Sequence, residues 1–493
     1  MPGHNEDRTA LFEVIPEHHC KPEQVARWRQ GGETLTQILL QTQFDLDEIL
    51  TCSYRMAIWR ENNTLTYVTP YGSNDLPEQE FLTLKLREKG AILRITGRTH
   101  ETISQTAAFF LNLMKPSKES ALLAVDASNR CLDFRAAPSE CLSRIFEAAQ
   151  HVRFQNLQLS AQQSITLATR PHPVHLTFSN CELEDEGTAF VDYLEKRTQS
   201  FGTLRFINIT GLNHDNLQRL LQLEMIERLC IHCLEDEGLL PFSTKAKYLD
   251  YDISSASLSK ADLKSLQIVP NQLALSIEHE AEGFPTQSVV TLFRRITEMG
   301  HFEELKISFC FYDDYGYIPE CVVQALVQAV IGNINLQVLD LSTNEGDLKW
   351  DSHVGALFQG LKDHIKLRSL KLSVHRAAFG PDFSDLRQLL SHNRSIFVTD
   401  EDGSIYSDGN LVDELYSLNR FVRCCTDLAV KPPSERLLLV AAALMGRALN
   451  EFQCSSLLLS EHADLLCEFV AQYIINRPDN VESSERNQVL SRD

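Results

Sequence analysis

Hydrophobic residues in the middle of the chain recur in a short spaced pattern. The clearest copy, residues 336–344, reads Leu-Gln-Val-Leu-Asp-Leu-Ser-Thr-Asn. It has the form apolar–x–x–Leu–x–apolar–x–x–Asn/Cys, and ten segments between residues 150 and 402 align on its fourth and sixth positions. Because apolar and polar residues alternate within the segments, the pattern predicts ten short β-strands. The aligned fourth positions are Leu157, Leu176, Ile207, Leu229, Leu249, Leu273, Leu305, Leu339, Leu370 and Ile396. The aligned sixth positions are Leu159, Phe178, Ile209, Ile231, Tyr251, Leu275, Ile307, Leu341, Leu372 and Val398.

The seventh position is an independent indication of the repeat, because the alignment does not depend on it. Two of the ten seventh positions are His232 and Asp252, and the other eight are small polar residues. Side chains of this size suit tightly stacked strands, where bulky groups would collide. We interpret this column as steric, with a functional role as the alternative. The eight residues are Ser160, Ser179, Thr210, Ser276, Ser308, Ser342, Ser373 and Thr399.

Between these segments the spacing of hydrophobic residues changes to that of an amphipathic helix. Three stripes of this kind lie at residues 289–296, 322–330 and 354–361. A strand followed by a helix and another strand indicates parallel strands joined by crossovers. Each such unit leaves apolar edges that only a neighbouring unit can cover, so the pattern predicts stacked repeats.

The segment that begins at Leu176 resembles a leucine-rich repeat of the ribonuclease-inhibitor type. In that family an Asn or Cys follows the strand, and a Leu and a Gly mark the helix entry; Cys181, Leu183 and Gly187 occupy these positions here. Cys310 and Asn344 also match the Asn/Cys position. The resemblance implies that the side chain at this position bonds the backbone of the loop.

The resemblance covers about residues 150–402 and implies an α/β solenoid, with parallel strands on its concave side and helices on its convex side. Several segments depart from the family at the Asn/Cys position, so we expect an irregular, short arc in place of an even horseshoe. The departing residues are Gln162, Leu212, Leu234, Ser254, Glu278, His375 and Glu401.

Four further regions flank the predicted solenoid at 151–402. Residues 1–50 are a poorly patterned lead-in with one predicted helix at 35–50. Residues 51–150 form a mixed α/β N-terminal region or cap, with hairpins near 54–67 and 82–95. Residues 403–476 carry helical stripes and are predicted to form a helical C-terminal cap over the last repeat. Residues 477–493 are polar and predicted to be disordered.

Charge and hydropathy exclude two classes of partner. The chain has 493 residues, with 46 Lys and Arg against 67 Asp and Glu, which gives a formal net charge of −21. Nucleic-acid binding depends on clustered Lys and Arg, so this balance argues against it. The longest uninterrupted apolar run, 437–445, is shorter than a bilayer span. We therefore predict neither a nucleic-acid partner nor a membrane partner.

Cysteine usage indicates the compartment. The thirteen cysteines have no regular spacing, which is untypical of a disulfide framework and fits reduced thiols. The first 17 residues carry acidic side chains and lack the apolar stretch of a signal peptide. These features predict a cytoplasmic protein, with the nucleus as the alternative location.

The motifs of common enzymes do not occur in the sequence. It lacks G-x-x-x-x-G-K-[ST], G-x-S-x-G, H-E-x-x-H and G-x-G-x-x-G, so we predict no cofactor and no catalytic residues. Cys230, His232 and Cys233 are three possible zinc ligands. However, three ligands next to one another on an extended strand rarely converge on one ion. We interpret them as ordinary strand residues and predict no metal.

The predicted concave face offers the better candidates for binding. Side chains at the third, fifth and seventh positions of a segment face the same way, because side chains alternate along a strand. Tyr and Arg are enriched among the residues that contribute most to protein interfaces. The alternative is a solvated sheet face without a ligand. The predicted partner-binding residues are Arg228, His232, Tyr248, Asp250, Asp252, Glu304, Lys306 and Asp340.

These features predict a non-enzymatic scaffold that binds a protein partner through the concave sheet. The acidic balance of the chain favours a partner with a basic or mixed surface. One alternative is an enzyme with its site in residues 51–150 and the repeats as a binding module. Another is the substrate-recognition subunit of a ubiquitin-ligase-type assembly.

Overall fold

The computed structural model describes residues 12–14, 36–39, 46–51, 56–60, 62–70, 81–87, 89–114, 122–128, 131–208, 211–234, 237–279, 284–311, 318–342, 350–445, 452–465 and 467. Within these residues the chain is a mixed α/β protein with 14 α-helices and a long, mostly parallel sheet. The chain divides into two compact units, Met1–Val322 and Val323–Asp493.

The first unit begins with a largely antiparallel part of the sheet. The elements are β1 (Phe12–Val14), β2 (Thr36–Leu39), α1 (Leu46–Leu50), β3 (Met56–Arg60), β4 (Thr64–Thr69), β5 (Leu82–Lys85), β6 (Ile92–Thr96), α2 (His100–Asn112), β7 (Leu122–Ala127), β8 (Leu132–Asp133) and α3 (Glu140–Ala148). The strands pair in the order β1-β2-β3-β4-β6-β5-β7, and each pairing is antiparallel except that of β2 with β3.

From β7 onward the sheet is parallel. The elements that follow are β9 (His151–Gln155), β10 (Leu157–Leu159), α4 (Ala161–Ala168), β11 (Val174–Ser179), β12 (Glu182–Leu183), α5 (Thr188–Glu195), β13 (Gly202–Ile207), α6 (His214–Leu221), β14 (Ile226–Ile231), a 3-10 turn (Leu240–Ser243), β15 (Tyr248–Ser254), α7 (Ser255–Lys260), β16 (Gln272–His279), α8 (Thr286–Met299) and β17 (Glu304–Phe311). The strands pair in the order β7-β9-β11-β13-β14-β15-β16-β17. A second, small parallel sheet joins β8, β10 and β12.

Two rows of apolar side chains hold the parallel strands in register. Successive side chains on a strand point to opposite faces, so these rows place one face of the sheet in the core. Helices cover that face, since Phe190 of α5 packs edge-on against Phe178 at 5.7 Å and Phe293 of α8 against Phe309 at 6.3 Å. The first row contains Leu176, Leu204, Leu229, Leu249, Leu273 and Leu305, all buried. The second contains Phe178, Phe206, Ile231, Tyr251, Leu275 and Ile307, also buried.

Side-chain caps decide where several of the connecting helices begin. Ser160 and Gln163 form a reciprocal capping box at the start of α4, which satisfies backbone N–H groups that have no partner inside the helix. At the start of α6 the Asn213 side chain accepts a hydrogen bond from the backbone N–H of Asn216, and at the start of α7 the Ser254 side chain accepts one from the backbone N–H of Ser257. Gly187 precedes α5 with a left-handed φ of 83°, so the predicted helix entry at this glycine is confirmed.

Three neighbouring strands end in the same short sequence, Phe-x-Asn. The Phe rings of adjacent strands stack at centroid distances of 6.2 and 5.5 Å. Each Asn has a left-handed φ between 50° and 58°, which Asn tolerates better than most residues that carry a Cβ. Asn208 Nδ2 donates to Asn180 Oδ1 at 2.8 Å, so two of these turns are bonded to each other. The three copies are residues 154–156, 178–180 and 206–208.

The second unit repeats the alternation of strand and helix and then becomes helical. Its elements are α9 (Glu320–Gly332), which contains the boundary between the units, β18 (Val338–Leu341), α10 (Val354–Leu361), β19 (Ser369–Leu372), α11 (Ser384–His392), β20 (Phe397–Thr399), α12 (Leu411–Ala429), α13 (Pro433–Met445) and α14 (Phe452–Glu461), with 3-10 turns at Trp350–Ser352, Arg376–Phe379 and Pro381–Phe383. The three strands are parallel, and Leu339, Leu370 and Val398 form their buried row. Asn419 of α12 donates to the Leu390 carbonyl of α11 at 2.8 Å.

Three of the ten predicted alignments, those at Leu157, Ile207 and Ile396, are wrong. Leu176 pairs with Val152, and Leu157 lies on β10 of the small sheet. Ile207 pairs with Ser179, because Leu204 is the member of the row. In each case a second apolar residue lies close to the correct one, so hydrophobic spacing alone allows two registers.

The last strand shows the same error. Val398 pairs with Leu370, while Ile396 precedes β20. Two predicted members of the Ser/Thr column therefore lie elsewhere: Ser160 caps α4, and Thr399 pairs with Lys371. Ile209 and Thr210, the sixth and seventh positions of the segment aligned at Ile207, fall outside the described residues.

Predictions for the flanking regions have mixed outcomes. The two hairpins are confirmed as β3 with β4 and β5 with β6. The predicted helix at 35–50 is wrong at its start, since Thr36–Leu39 is a strand, whereas Leu46–Leu50 is helical. The pairing of β7 with β9 carries the sheet across residue 150. The predicted domain boundaries stay predictions, and residues 477–493 lie outside the described part of the chain.

Replacement of Phe178 with Ala tests the row that holds the strands. The ring is 3% exposed and stacks between two other Phe rings, so we expect the free energy of unfolding to fall by about 3–5 kcal/mol. Tyr193→Ala on α5, at 37% exposure, is the control and should cost roughly 0.5 kcal/mol or less. Urea unfolding followed by circular dichroism measures both, and equal losses would contradict this packing.

Candidate functional site

The face of the parallel sheet opposite the helices carries polar side chains in columns across the strands. One column runs through Thr203, Arg228, Tyr248, Gln272 and Glu304, which are paired from β13 to β17. The next column, two residues further along each strand, runs through Arg205, Cys230, Asp250, Ala274 and Lys306. Neighbouring strands lie about 4.8 Å apart, so charged groups of opposite sign meet across them. We call these two columns, from β13 to β17, the polar face.

Asp250 is the centre of the best-defined contact on the polar face. Its Oδ2 accepts a hydrogen bond from Arg228 Nη2 at 2.7 Å and forms an ion pair with Arg205 Nη2 at 3.3 Å. The Asp250 side chain is 23% exposed, so these contacts are shielded from water more than a typical surface pair. Two guanidinium groups on neighbouring strands thus hold one carboxylate in place.

The Arg228 guanidinium also lies over the ring of Tyr248, 4.2 Å from its centroid. Burial disfavours the charge on Arg228, but the hydrogen bond with Asp250 and the charge interactions with Tyr248, Cys230 and Asp250 together outweigh this effect and raise its pKa above the usual range. Burial raises the pKa of Tyr248, so its hydroxyl stays protonated. The result is a fixed Arg-on-Tyr pair, whose aromatic and cationic surfaces are presented from adjacent strands.

Cys230 lies beside the same carboxylate. Its Sγ is 3.6 Å from Asp250 Oδ2, and burial and then the Asp250 charge raise the pKa of this thiol. A cavity of about 230 Å³ opens here, lined by Arg205, Cys230, His232 and Asp250 among others. The cavity makes this part of the polar face concave on the scale of a few side chains.

His232 and Asp252 lie further along the same strands. His232 directly follows β14, and its Nδ1 is 3.2 Å from Asp252 Oδ2 and 3.7 Å from Glu278 Oε1. Glu278 is paired with Ser254 and belongs to β16. The sequence marked Glu278 only as a departure from the Asn/Cys position, so its part in this group was missed.

The structure brings five of the eight predicted residues into contact in two groups and places the others apart. Glu304 and Lys306 lie on β17, two strands away from Tyr248 and Asp250 in the same columns. Asp340 belongs to the second unit, where its Oδ1 accepts from the backbone N–H of Ser342 at 3.0 Å. Arg205 was missed, because the wrong alignment at Ile207 moved it out of the fifth position. The Phe-x-Asn repeat is the signal that would have corrected this.

A comparison with models of known protein families found no match, and a comparison with curated proteins found no significant relative. None of the helices among the described residues combines the length and apolar character that crossing a membrane requires.

The reactivity of Cys230 tests the electrostatics of the polar face. Asp250→Asn removes a negative charge that raises the thiol pKa, so more thiolate is present at a given pH and alkylation should be several-fold faster. Arg205→Gln removes a positive charge that lowers this pKa and should slow the reaction. Iodoacetamide labelling from neutral to alkaline pH, read by peptide mass spectrometry, measures both, with exposed Cys424 as the internal reference. Changes of the same sign in both variants would contradict the assignment.

Proposed function

We propose that this chain is a non-enzymatic scaffold that binds a protein partner through the polar face. The observation that carries the proposal is the cluster of Arg205, Arg228, Tyr248 and Asp250, which three neighbouring strands hold in fixed positions. Arg and Tyr are the residue types that most often dominate protein interfaces. A rigid strand scaffold lowers the entropy that such side chains lose on binding.

The proposal includes the architecture, a solenoid of leucine-rich-repeat type with the polar face on its concave side. Cys181 supports it, because its Sγ is buried and donates to the carbonyls of Phe154 at 3.3 Å and Ser179 at 3.5 Å. Both carbonyls lie near the ends of strands β9 and β11, so the contact is similar to, but not the same as, the bond to the loop backbone that the family resemblance implies for the Asn/Cys position. The regular parallel pairing from β9 to β17 supports the same interpretation.

The partner is proposed to present a surface of mixed charge. The polar face carries the cations Arg205, Arg228 and Lys306 together with the anions Asp250 and Glu304. A partner of one sign would therefore meet repulsion somewhere on this surface, and alternating charges would give specificity.

Among the described residues none of the eleven cysteines forms a disulfide. This supports the proposed cytoplasmic location, with the nucleus as the alternative.

Neutral substitutions of one ion pair test the polar face. The variant Arg228→Gln/Asp250→Asn keeps side-chain size and removes both charges of the shorter pair together. The Arg205 guanidinium then loses its contact with Asp250, but its side chain is 46% exposed and can be solvated by water. We expect it to lose at least about tenfold in affinity for the physiological partner, equivalent to ~1.4 kcal/mol. Quantitative affinity capture of the intact chain identifies the partner, and titration calorimetry with the purified partner measures the affinity.

The matched control is an ion pair on the helices. Arg219 of α6 contacts Glu195 of α5 at 2.8 Å, and Arg219→Gln/Glu195→Gln removes it without changing the polar face. Thermal unfolding of both variants checks that they fold alike. Full recovery of the partner by the variant of the polar face, or equal loss in both variants, would refute the proposed surface.

A further inference from the structure

Three side chains that can bind metal converge at the end of the polar face. His232, Asp252 and Glu278 each offer one donor atom, and these atoms lie within 4.8 Å of one another. In the part of the chain that the structure describes, this is the one such group of three His, Cys, Asp or Glu residues. The ligands come from successive parallel strands or their ends, so the strand register positions them together.

The distances match those between ligands that share one zinc ion. Zinc lies about 2.0–2.2 Å from nitrogen and oxygen ligands in tetrahedral geometry, which separates two such ligands by about 3.3–3.6 Å. His232 Nδ1 is 3.2 Å from Asp252 Oδ2 and 3.7 Å from Glu278 Oε1. The Asp252 and Glu278 oxygens lie within 4.8 Å of each other, so side-chain movements of about 1 Å bring all three donor atoms onto one ion.

Burial strengthens the case for a bound cation. The Glu278 side chain is only 10% exposed, and a buried carboxylate attracts a cation more strongly than one in water because the protein interior screens charge less. A second carboxylate, that of Asp252, lies in the same group and adds to the negative potential. A divalent ion between the two carboxylates neutralises both charges.

The chemical types of the three ligands and the exposure of the group to water indicate which ion it would bind. Imidazole nitrogen suits Zn²⁺, whereas Mg²⁺ and Ca²⁺ prefer sets made only of oxygen ligands. The side chains of His232 and Asp252 are 29% and 38% exposed, and both line the cavity of about 230 Å³. Water therefore reaches the position that three protein ligands leave open on a tetrahedral ion.

We propose that His232, Asp252 and Glu278 form a Zn²⁺ site whose fourth ligand is water. This site does not depend on the proposed partner, and it differs from the set of Cys230, His232 and Cys233 that the sequence suggests and that we set aside. The thiol of Cys230 lies 3.6 Å from Asp250 in the other contact group. The proposed site shares His232 with that cysteine-containing set, but its other two ligands, Asp252 and Glu278, come from strands β15 and β16.

Zinc titration of the purified full chain tests the site without any partner. The chain is treated with a chelator, kept reduced, and titrated with Zn²⁺ by calorimetry. We expect Asp252→Asn and Glu278→Gln each to weaken one binding event at least about tenfold, the size of loss seen when metal sites are perturbed. Asp215→Asn, at an exposed residue of α6 outside the polar face, is the control and should change the affinity by less than about twofold.

Two further readouts separate this site from zinc bound to cysteine. Substituted Co²⁺ should show d–d bands from this site without the near-ultraviolet charge-transfer band that marks a thiolate ligand. Zn²⁺ should raise the unfolding temperature of the wild-type chain and less so that of the Asp252→Asn chain. If Glu278→Gln does not fold, Asp252→Asn carries the comparison, because its side chain is the most exposed of the three.

The proposal is overturned if the wild-type chain binds no Zn²⁺. It is also overturned if both variants bind Zn²⁺ as the wild type does, or if a thiolate band accompanies the affected binding event. Unchanged partner binding by the Arg228→Gln/Asp250→Asn variant, with zinc binding intact in the wild-type chain, would instead refute only the function proposed above.

Discussion

The pairing of buried leucines across the parallel strands is the constraint on which the first unit depends. From Leu176 on β11 to Leu305 on β17, each strand places one leucine against the leucine of its neighbour. A shift of a strand by one residue would turn its polar side chains into the core. Each buried leucine contributes roughly 1.5–3 kcal/mol, so such a shift is excluded energetically. The polar columns are therefore positioned by the apolar ones.

This arrangement explains why charged groups on the polar face meet in fixed pairs. Arg228 lies one strand away from Tyr248 and close to Asp250 because the leucines between them set the register. Ordinary surface ion pairs contribute little, since two flexible side chains must be ordered to form them. Here the ring of Tyr248 and the partly buried carboxylate of Asp250 restrict the guanidinium. The same packing that stabilises the core thus fixes the positions of the charged groups on the polar face.

The sequence predicts most strands of the fold because β11 and β14 to β19 each have a clear Leu-x-apolar centre. It misplaces Leu157, Ile207 and Ile396 because a second apolar residue lies within five positions of the true one. The contact between Asp250 and Arg228 can be predicted from the sequence, because side chains alternate along β14 and β15 and these two strands were aligned correctly. The contact between Glu278 and His232 cannot be predicted in this way, because it depends on how the long Glu278 side chain crosses a neighbouring strand. The spacing of residues within one segment does not predict contacts between residues that are not directly paired across neighbouring strands.

The two contact groups on the polar face differ in their charge balance. Asp250 is flanked by two guanidinium groups, so that group carries a net positive charge. The group of His232, Asp252 and Glu278 has two carboxylates and one imidazole, so it stays negative while the imidazole is neutral. A bound Zn²⁺ would cancel that negative charge, so the field at this end of the face would fall towards zero relative to the empty site. Because a partner of the kind proposed would sense this field through steering and charge pairing, occupancy of the proposed metal site would alter which surfaces the polar face can accept.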